Sequence, residues 1–470
     1  MRNIVTTTLT LLSTIVAAAA QQETTIKYIS LDSFTNCPNP TRIFNQSPQS
    51  ADSLRGVEKF KHEIRLYPEI KHQTMQGIGG CFNEIGGEAL LSLDKDQQLS
   101  VMESLFGSNY SNFSICRASI GSSDFGIDAY SFSEVAEDYS MKHFSLEREM
   151  RYMLPYIKFA KSINADFKLF GSPWSPPAWM KESGYMDRGN EFRETNRLKD
   201  NPQIYEAYAL YFLKYVEGYR KEGVTVDRIL IQNEQDFNTK YPSCRLPAEQ
   251  MAKFVSGYMR PLFDKKRCKT EIWAGTFRTR GEREALRIAS NEEYRKDFDG
   301  IGIQYMYPQY ISELQVAAKS MPIMHTESVC FNGKNDLSQA RSRFGEVAGY
   351  INGGCDNFSY WNMILNESSE SGWGWRQNSL ITIDRTTKVV TYNPDYAPMM
   401  LLSQAIRPGD IRIASYSHNK IITLDAGDKY RLILQNDTEK SESARCYIGE
   451  REYRFNIPAQ SLCVVEIVKE

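Results

Sequence analysis

Two short apolar runs each end in a carboxylate: Arg228-Ile-Leu-Ile-Gln-Asn-Glu234, closing in Asn233-Glu234, and Met321-Pro-Ile-Met-His-Thr-Glu327, closing in Glu327. Each run reads as a buried parallel strand whose last residue is a Glu. If both strands belong to one barrel, the two carboxylates meet at its C-terminal mouth, where such folds keep their active sites. One Glu held protonated and one ionised is the pair that cleaves glycosidic bonds.

Other residues at strand ends extend that set. Arg117 lies inside the apolar run 114–120, so once buried it needs a carboxylate partner, and Glu234 or Glu327 can serve. Asp124 follows the same strand, and Trp179 closes the Pro-rich stretch that begins at Ser172. Gln304, Tyr305 and Tyr307 end a later strand, Trp361 ends the last one, and Trp373 and Trp375 follow in a loop. Sugar rings stack on indole faces, and their hydroxyls bond to carboxylates, guanidinium groups and amides. Taken singly, a Glu after a strand is usually a cap and a Trp is usually packing. Their recurrence at several strand ends is what points to a carbohydrate cleft.

Such residues need a frame that gathers strand ends. From residue 76 onward, strand-like runs alternate with amphipathic helical stretches. The strands are predicted at 76–82, 114–120, 167–171, 229–232, 270–275, 300–305, 322–325 and 357–361. Helices are predicted at 86–106, 146–163, 203–220, 247–263, 282–289, 311–319, 337–352 and 396–406. Eight such units predict an α/β chain with a (β/α)8 TIM barrel over residues 71–408. No glycine-rich phosphate turn follows any strand, which disfavours a doubly wound sheet. Residues 23–31 and 58–67 alternate like strands with no helix between them, and 32–57 reads as a polar loop. After 409 the helices stop and short strands alternate with polar turns. Segments 21–70 and 409–470 therefore predict a fused all-β sandwich side domain built from both chain ends.

Composition narrows the classes. A formal charge of −2 over 470 residues gives no basic surplus for nucleic acid. Residues 1–20 combine Arg2, an apolar core and a run of Ala, the pattern of a cleaved signal peptide. That predicts a secreted or periplasmic protein with no stable membrane insertion after cleavage. Nine Cys form no CxxC pair and five His no ligand pair, so neither a metal nor a cofactor is expected. Cys116, Cys330, Cys355 and Cys463 read as buried thiols, and a single Cys244–Cys268 bridge stays open. The Asn-x-Ser/Thr triplets at Asn112 and Asn357 abut or fall within core strands and read as chance. Nothing in the sequence sets an oligomeric state.

At this point the chain resembles glycoside hydrolase family 30, the group of glucosylceramidases and microbial β-1,6-glucanases. The resemblance runs from about residue 58 to the C-terminus. It rests on Gln76-Gly-Ile-Gly-Gly, on Cys116-Arg117 with Ser123-Asp124-Phe125, and on Ser172-Pro-Trp-Ser-Pro-Pro-Ala-Trp179-Met-Lys. Gln232-Asn-Glu234, Thr326-Glu327 and Tyr360-Trp361-Asn362 complete it. It implies a retaining β-glycosidase with Glu234 as acid/base and Glu327 as nucleophile, roughly 5 Å apart. It further implies that Asp124, Trp179, Asn233 and Trp361 line the sugar subsite before the cleaved bond. Gln304 departs from the His of the glucosylceramidase-like pattern, and the tyrosine that bonds the nucleophile is Tyr305 or Tyr307. The Trp373-Gly-Trp375 loop looks more like the β-1,6-glucanase branch, with the Trp pair stacking a second glucose or walling the pocket. The substrate expected is a β-linked glucan, with an endo-β-1,6-glucanase first. A glucosylceramidase-type β-glucosidase, a β-xylosidase and a non-catalytic carbohydrate-binding protein are the alternatives.

Overall fold

The computed structural model describes residues 24–34, 45–49 and 59–469. The segment 1–20, read above as a signal peptide, Cys37 and most of the polar stretch 32–57 lie outside the described residues. Within that stretch Asn45–Gln49 is a strand, not loop, so the N-terminal strands are β1 (Thr24–Ser30), β2 (Asn45–Gln49) and β3 (His62–Thr74). Among the described residues β2 pairs with β1 alone, at the sheet edge, a position that tolerates a proline such as Pro48.

Eight parallel strands follow: β4 (Gly77–Phe82), β5 (Ile115–Ser119), β6 (Lys168–Ser172), β7 (Arg228–Leu230), β8 (Glu271–Phe277), β9 (Gly300–Gln304), β10 (Ile323–Glu327) and β11 (Asn357–Asn362). Their order is β10-β9-β8-β7-β6-β5-β4-β11, the sequential winding of a (β/α)8 barrel. The surrounding helices differ from the sequence reading in detail. The stretch 86–106 splits into α1 (Glu84–Leu91) and α2 (Lys95–Phe106). Asn83 caps the first through the Gly86 N–H, and Asp94 caps the second through the Gln97 N–H. α3 occupies only Met153–Ile163. The chain before it forms turns that sink Glu149 between the hydroxyls of Tyr130 and Tyr219. α4 (Pro202–Lys221) matches its pattern, whereas 247–263 becomes α5 (Ala248–Phe254), one π turn and α6 (Arg260–Lys265). The ring is completed by α7 (Glu282–Ser290), α8 (Glu292–Arg295), α9 (Pro308–Ala318), α10 (Leu337–Gly353) and, after a small sheet, α11 (Tyr396–Ala405). That sheet, β12 (Ile364–Asn366), β13 (Ile381–Ile383) and β14 (Val390–Tyr392), has no counterpart in the sequence reading. Three residues per strand leave too little period to see.

The lower barrel interior is plugged by Ile115, Phe170, Leu230, Trp273 and Met324. A Cβ on Gly300 would lie 2.4 Å from the Trp273 ring, so that strand needs glycine there. The barrel closes between β10 and β11 through side chains more than through a ladder. One bridge joins Ile323 to Cys355, and above it the Asn357 amide takes over. Asn357 Oδ1 accepts from the His325 N–H and its Nδ2 donates to the His325 carbonyl, both at 2.9 Å. His325 Nδ1 accepts in turn from the Ser359 N–H at 3.1 Å, and its ring stacks on Phe358. Burial and the nearby Arg343 and Arg117 push that imidazole well below the usual range, which keeps it neutral.

The remaining strands are β15 (Ile411–Ser417), β16 (Ile421–Asp425), β17 (Lys429–Asn436), β18 (Glu442–Ile448), β19 (Arg451–Ile457) and β20 (Ser461–Val468). With β1–β3 they make one nine-stranded sheet that folds over a core of its own, including Ile26, Ile64, Leu432, Phe455 and Val465. Alternate residues, among them Ile422, Leu424, Ile433 and Val464, face the barrel core instead. Cys244 and Cys268 are free thiols. The first follows β7 at the barrel mouth and the second precedes β8 at the base, so no bridge joins them. Among the described residues no helix is long and apolar enough to cross a membrane.

The seam generates a stability prediction. Asn357→Ala strips both partners from buried His325 backbone groups and costs about 2–5 kcal/mol in denaturant unfolding. A loss below about 1 kcal/mol would mean that the seam closes without the amide.

Candidate active site

The site is built around Arg117, which projects from β5 into the barrel and is 0% exposed. Its Nη1 donates to Glu327 Oε2 at 2.6 Å and to the Thr326 carbonyl at 3.3 Å. Its Nη2 donates to Asn233 Oδ1 and to Ser172 Oγ, each at 2.7 Å, and Nε reaches the same Ser172 oxygen at 3.0 Å. The guanidinium also lies 4.5 Å from the Trp174 ring centre and 5.5 Å from that of Trp361. Of the two carboxylates open to Arg117 in the sequence, the structure pairs it with Glu327.

Glu327 ends β10 and has both oxygens occupied. Tyr305 Oη donates to Oε1 at 2.5 Å, and Gln304 Nε2 donates to Oε2 at 3.1 Å beside Arg117. Tyr305 reaches it because its backbone turns to φ +50° just after β9. Gln304 is oriented by its own oxygen, which accepts from Thr326 Oγ1 at 2.7 Å and Arg117 at 3.4 Å. Its nitrogen therefore faces the carboxylates.

Glu234 follows β7 with φ +43°, a strained value for a non-glycine residue. Its N–H is held by the Thr276 carbonyl at 3.1 Å. Gln304 Nε2 lies 3.4 Å from Glu234 Oε1 and 3.1 Å from Glu327 Oε2, so these two oxygens are no more than about 6.5 Å apart. Arg278 Nε stands 3.9 Å from the other Glu234 oxygen and 3.3 Å from Asp236. Asn233 Oδ1 accepts from Arg117, Thr276 and Gln304, so what it can offer a ligand is its amide N–H groups.

Burial dominates the electrostatics. It pushes Glu234 up to about 7, with the Glu327 charge adding and Arg278 opposing. Burial also raises Glu327, while Arg117, Tyr305 and Gln304 pull it back toward the ionised form. Asp124 is raised well above the usual carboxylate range by burial and by the charges of Glu327 and Glu234. Its buried Oδ1 has no protein partner.

The tryptophans divide. Trp361 is fully buried, stacked on Trp174 at 5.1 Å, with an Nε1 that has no protein partner. Trp179 is half-buried and donates Nε1 to the Ser133 carbonyl at 3.0 Å. Trp375 stacks on Tyr241 with ring centres 5.8 Å apart, so that face is covered by protein. Tyr241 follows β7 and Trp375 follows β11, on opposite sides of the barrel, so the pair bridges the mouth. Trp373 donates Nε1 to Asp187 at 3.3 Å, tying its loop to the one after β6. Tyr307 does not join the set. It is 58% exposed at the start of α9, because the Tyr305 turn carries the next residues over the rim. Sequence reading missed Ser172, Thr276, Tyr241 and Arg278. Ser172 and Thr276 carry no charge or ring that would single them out, and the other two lie in loops without period.

Residues 75–269 match the glycosyl hydrolase family 30 TIM-barrel domain. A protein named putative glucosylceramidase 3 from Caenorhabditis elegans is 26% identical over 466 residues, covering 90% of this chain and 85% of that one. An endo-1,6-β-D-glucanase from Aspergillus fumigatus is 30% identical over 215 residues, 43% of each chain. The solved structure of the endo-β1,6-glucanase BT3312 superposes with a TM-score of 0.82 at 21% identity, covering 95% of this chain and 100% of that one. At that identity the last likeness speaks to the fold.

The geometry predicts that Glu234 titrates near 7 and that Arg278→Gln moves it upward, since the lost cation favoured the ionised form. Carboxyl-carbon NMR, assigned against Glu234→Gln, reads both. A downward move would contradict the arrangement.

Proposed function

We propose, from the premise that this chain is a glycoside hydrolase of family 30, that it cleaves a β-linked glucan with retention. The observation that carries the proposal is the Gln304 amide shared by Glu234 and Glu327, which holds the two oxygens within about 6.5 Å. Retaining enzymes keep their carboxyls roughly 5–5.5 Å apart, and inverting ones roughly 6.5–9.5 Å to admit a water.

Protonated Glu234 donates to the glycosidic oxygen as the bond to the anomeric carbon breaks. Ionised Glu327 attacks that carbon and forms a covalent glycosyl-enzyme. Water then enters the vacated side, Glu234 takes its proton, and the sugar leaves with its original configuration. Arg117 and Tyr305 hold the Glu327 charge before attack and receive it back afterwards. Asp124 accepts from a sugar hydroxyl, Trp361 and the Asn233 amide donate, and Trp179 offers a ring face.

The substrate we favour is a β-1,6-glucan cleaved internally. Fungal relatives named endo-1,6-β-D-glucanases support this, as does the Trp373–Trp375 wall. The nematode relatives' names support a second reading, a glucosylceramidase-type β-glucosidase. Secretion through the segment 1–20 belongs to the same proposal.

Glu234→Gln and Glu327→Gln each lose nearly all turnover. Azide rescues Glu327→Ala with an inverted product; appreciable unaided activity in that variant would refute the mechanism. Because the acid must be protonated, kcat/KM falls as pH rises through about 7. Assays on pustulan, a glucosyl lipid and an aryl xyloside fix the substrate. Binding without product release would instead mean a non-catalytic carbohydrate-binding protein.

A further inference from the structure

A groove of about 900 Å³ runs from the rim above β9 and β10, along α9 and α10, to the side domain. Its volume lies near the top of the range for ligand pockets, roughly 300–1,000 Å³. It adjoins the catalytic centre at one residue. Tyr305 lines the groove and its hydroxyl donates to Glu327.

The groove mouth carries Tyr307 and Phe331, 58% and 48% exposed, the two most exposed aromatic side chains among the described residues. Phe331 is held out with a backbone φ of +24°, a cost that the local fold sustains. The floor is opened by Gly345 and Gly349, one turn apart on α10. A Cβ on Gly345 would meet only the end of Lys420 at 3.4 Å. The far wall is polar, with Asn419, Gln435, Asn436 and Thr438 of the side domain and one charge of each sign, Lys420 and Asp437. The charged groups along the groove are largely committed elsewhere. Arg341 pairs with Asp32, Glu346 with Arg343, and Glu442 with His62. Exposed aromatic faces opposite amides and a hydroxyl, with no surplus of one charge, suit a neutral polyhydroxylated chain better than an anion or a metal.

We propose that this groove binds the part of the glucan chain beyond the cleaved bond, so that the side domain contributes to substrate binding. The inference rests on the glucanase reading above. Glu234 and Arg278 follow β7 and β8, on the Tyr305 side of the cleft, so the leaving group departs toward the groove. The Tyr241–Trp375 pair spans the mouth between the loops after β7 and β11. Polymer length would then be read outside the catalytic pocket.

Gly345→Phe fills the groove from a helical position, and Phe331→Ala removes its mouth platform; neither residue touches the carboxylates. Both variants are compared with the wild-type protein on β-1,6-glucan oligosaccharides of increasing length and on an aryl β-glucoside, with near-ultraviolet circular dichroism confirming the fold. The proposal predicts that kcat/KM for the longest oligosaccharides falls about tenfold, chiefly through KM, with the aryl glucoside within about twofold. Equal activity at every length, or an equal loss on the aryl glucoside, overturns it. A loss confined to a glucosyl lipid also overturns it and assigns the groove to an apolar leaving group. If the wild-type protein cleaves no β-glucan, the functional reading fails and takes this inference with it; if it does and the variants match it, the groove alone is rejected.

Discussion

The Arg117–Glu327 ion pair is the constraint on which the site depends. A guanidinium with no solvent exposure is costly unless every N–H finds an acceptor. Here the acceptors come from β6, the end of β7, β9 and β10, so one side chain from β5 ties its own strand to four others at the mouth. The same contacts fix the Glu327 carboxylate, orient Asn233 and set the Gln304 amide between the two acids. Trp174 and Trp361 flank the cation and exclude water from the pair. Removing one partner of such a pair typically costs about 3–5 kcal/mol, because the other is left charged and dry. Fold and chemistry thus share one interaction.

The asymmetry between the two carboxyls follows. Glu327 has a guanidinium at 2.6 Å and a tyrosine hydroxyl at 2.5 Å, all favouring the anion. Glu234 has a weaker amide contact at 3.4 Å and an arginine no nearer than 3.9 Å. Of these two acids, Glu234 is therefore the one whose surroundings favour the protonated form. Each acid is placed by its strand, and its ionisation by the groups that neighbouring strands bring to it.

Much of this was legible in the sequence, for physical reasons that also mark the limits. Buried parallel strands read as apolar runs, so the eight barrel strands and the carboxylates at their ends stood out. An Arg inside such a run demanded a partner before any coordinates, although the choice between Glu234 and Glu327 needed the third dimension. The offset between Tyr305 and Tyr307 was not readable, because a positive φ at Tyr305 decides which ring turns inward. The side sheet was legible as alternation, but β2 was not, since an edge strand has only one neighbour to satisfy. Asn357 looked like a chance triplet; its amide is in fact spent closing the barrel seam. Tyr241 and Arg278 come from loops, where contacts made across the mouth leave no periodic trace.

The central claim is that Glu327 forms a bond to the sugar while Glu234 moves the proton. Trapping with a 2-deoxy-2-fluoro-β-glucosyl fluoride, followed by peptide mass mapping, tests it most directly. The account predicts one adduct, on the peptide that carries Glu327, with a stable lifetime in water. An adduct on Glu234, or turnover of the reagent with inversion and no adduct, would contradict it.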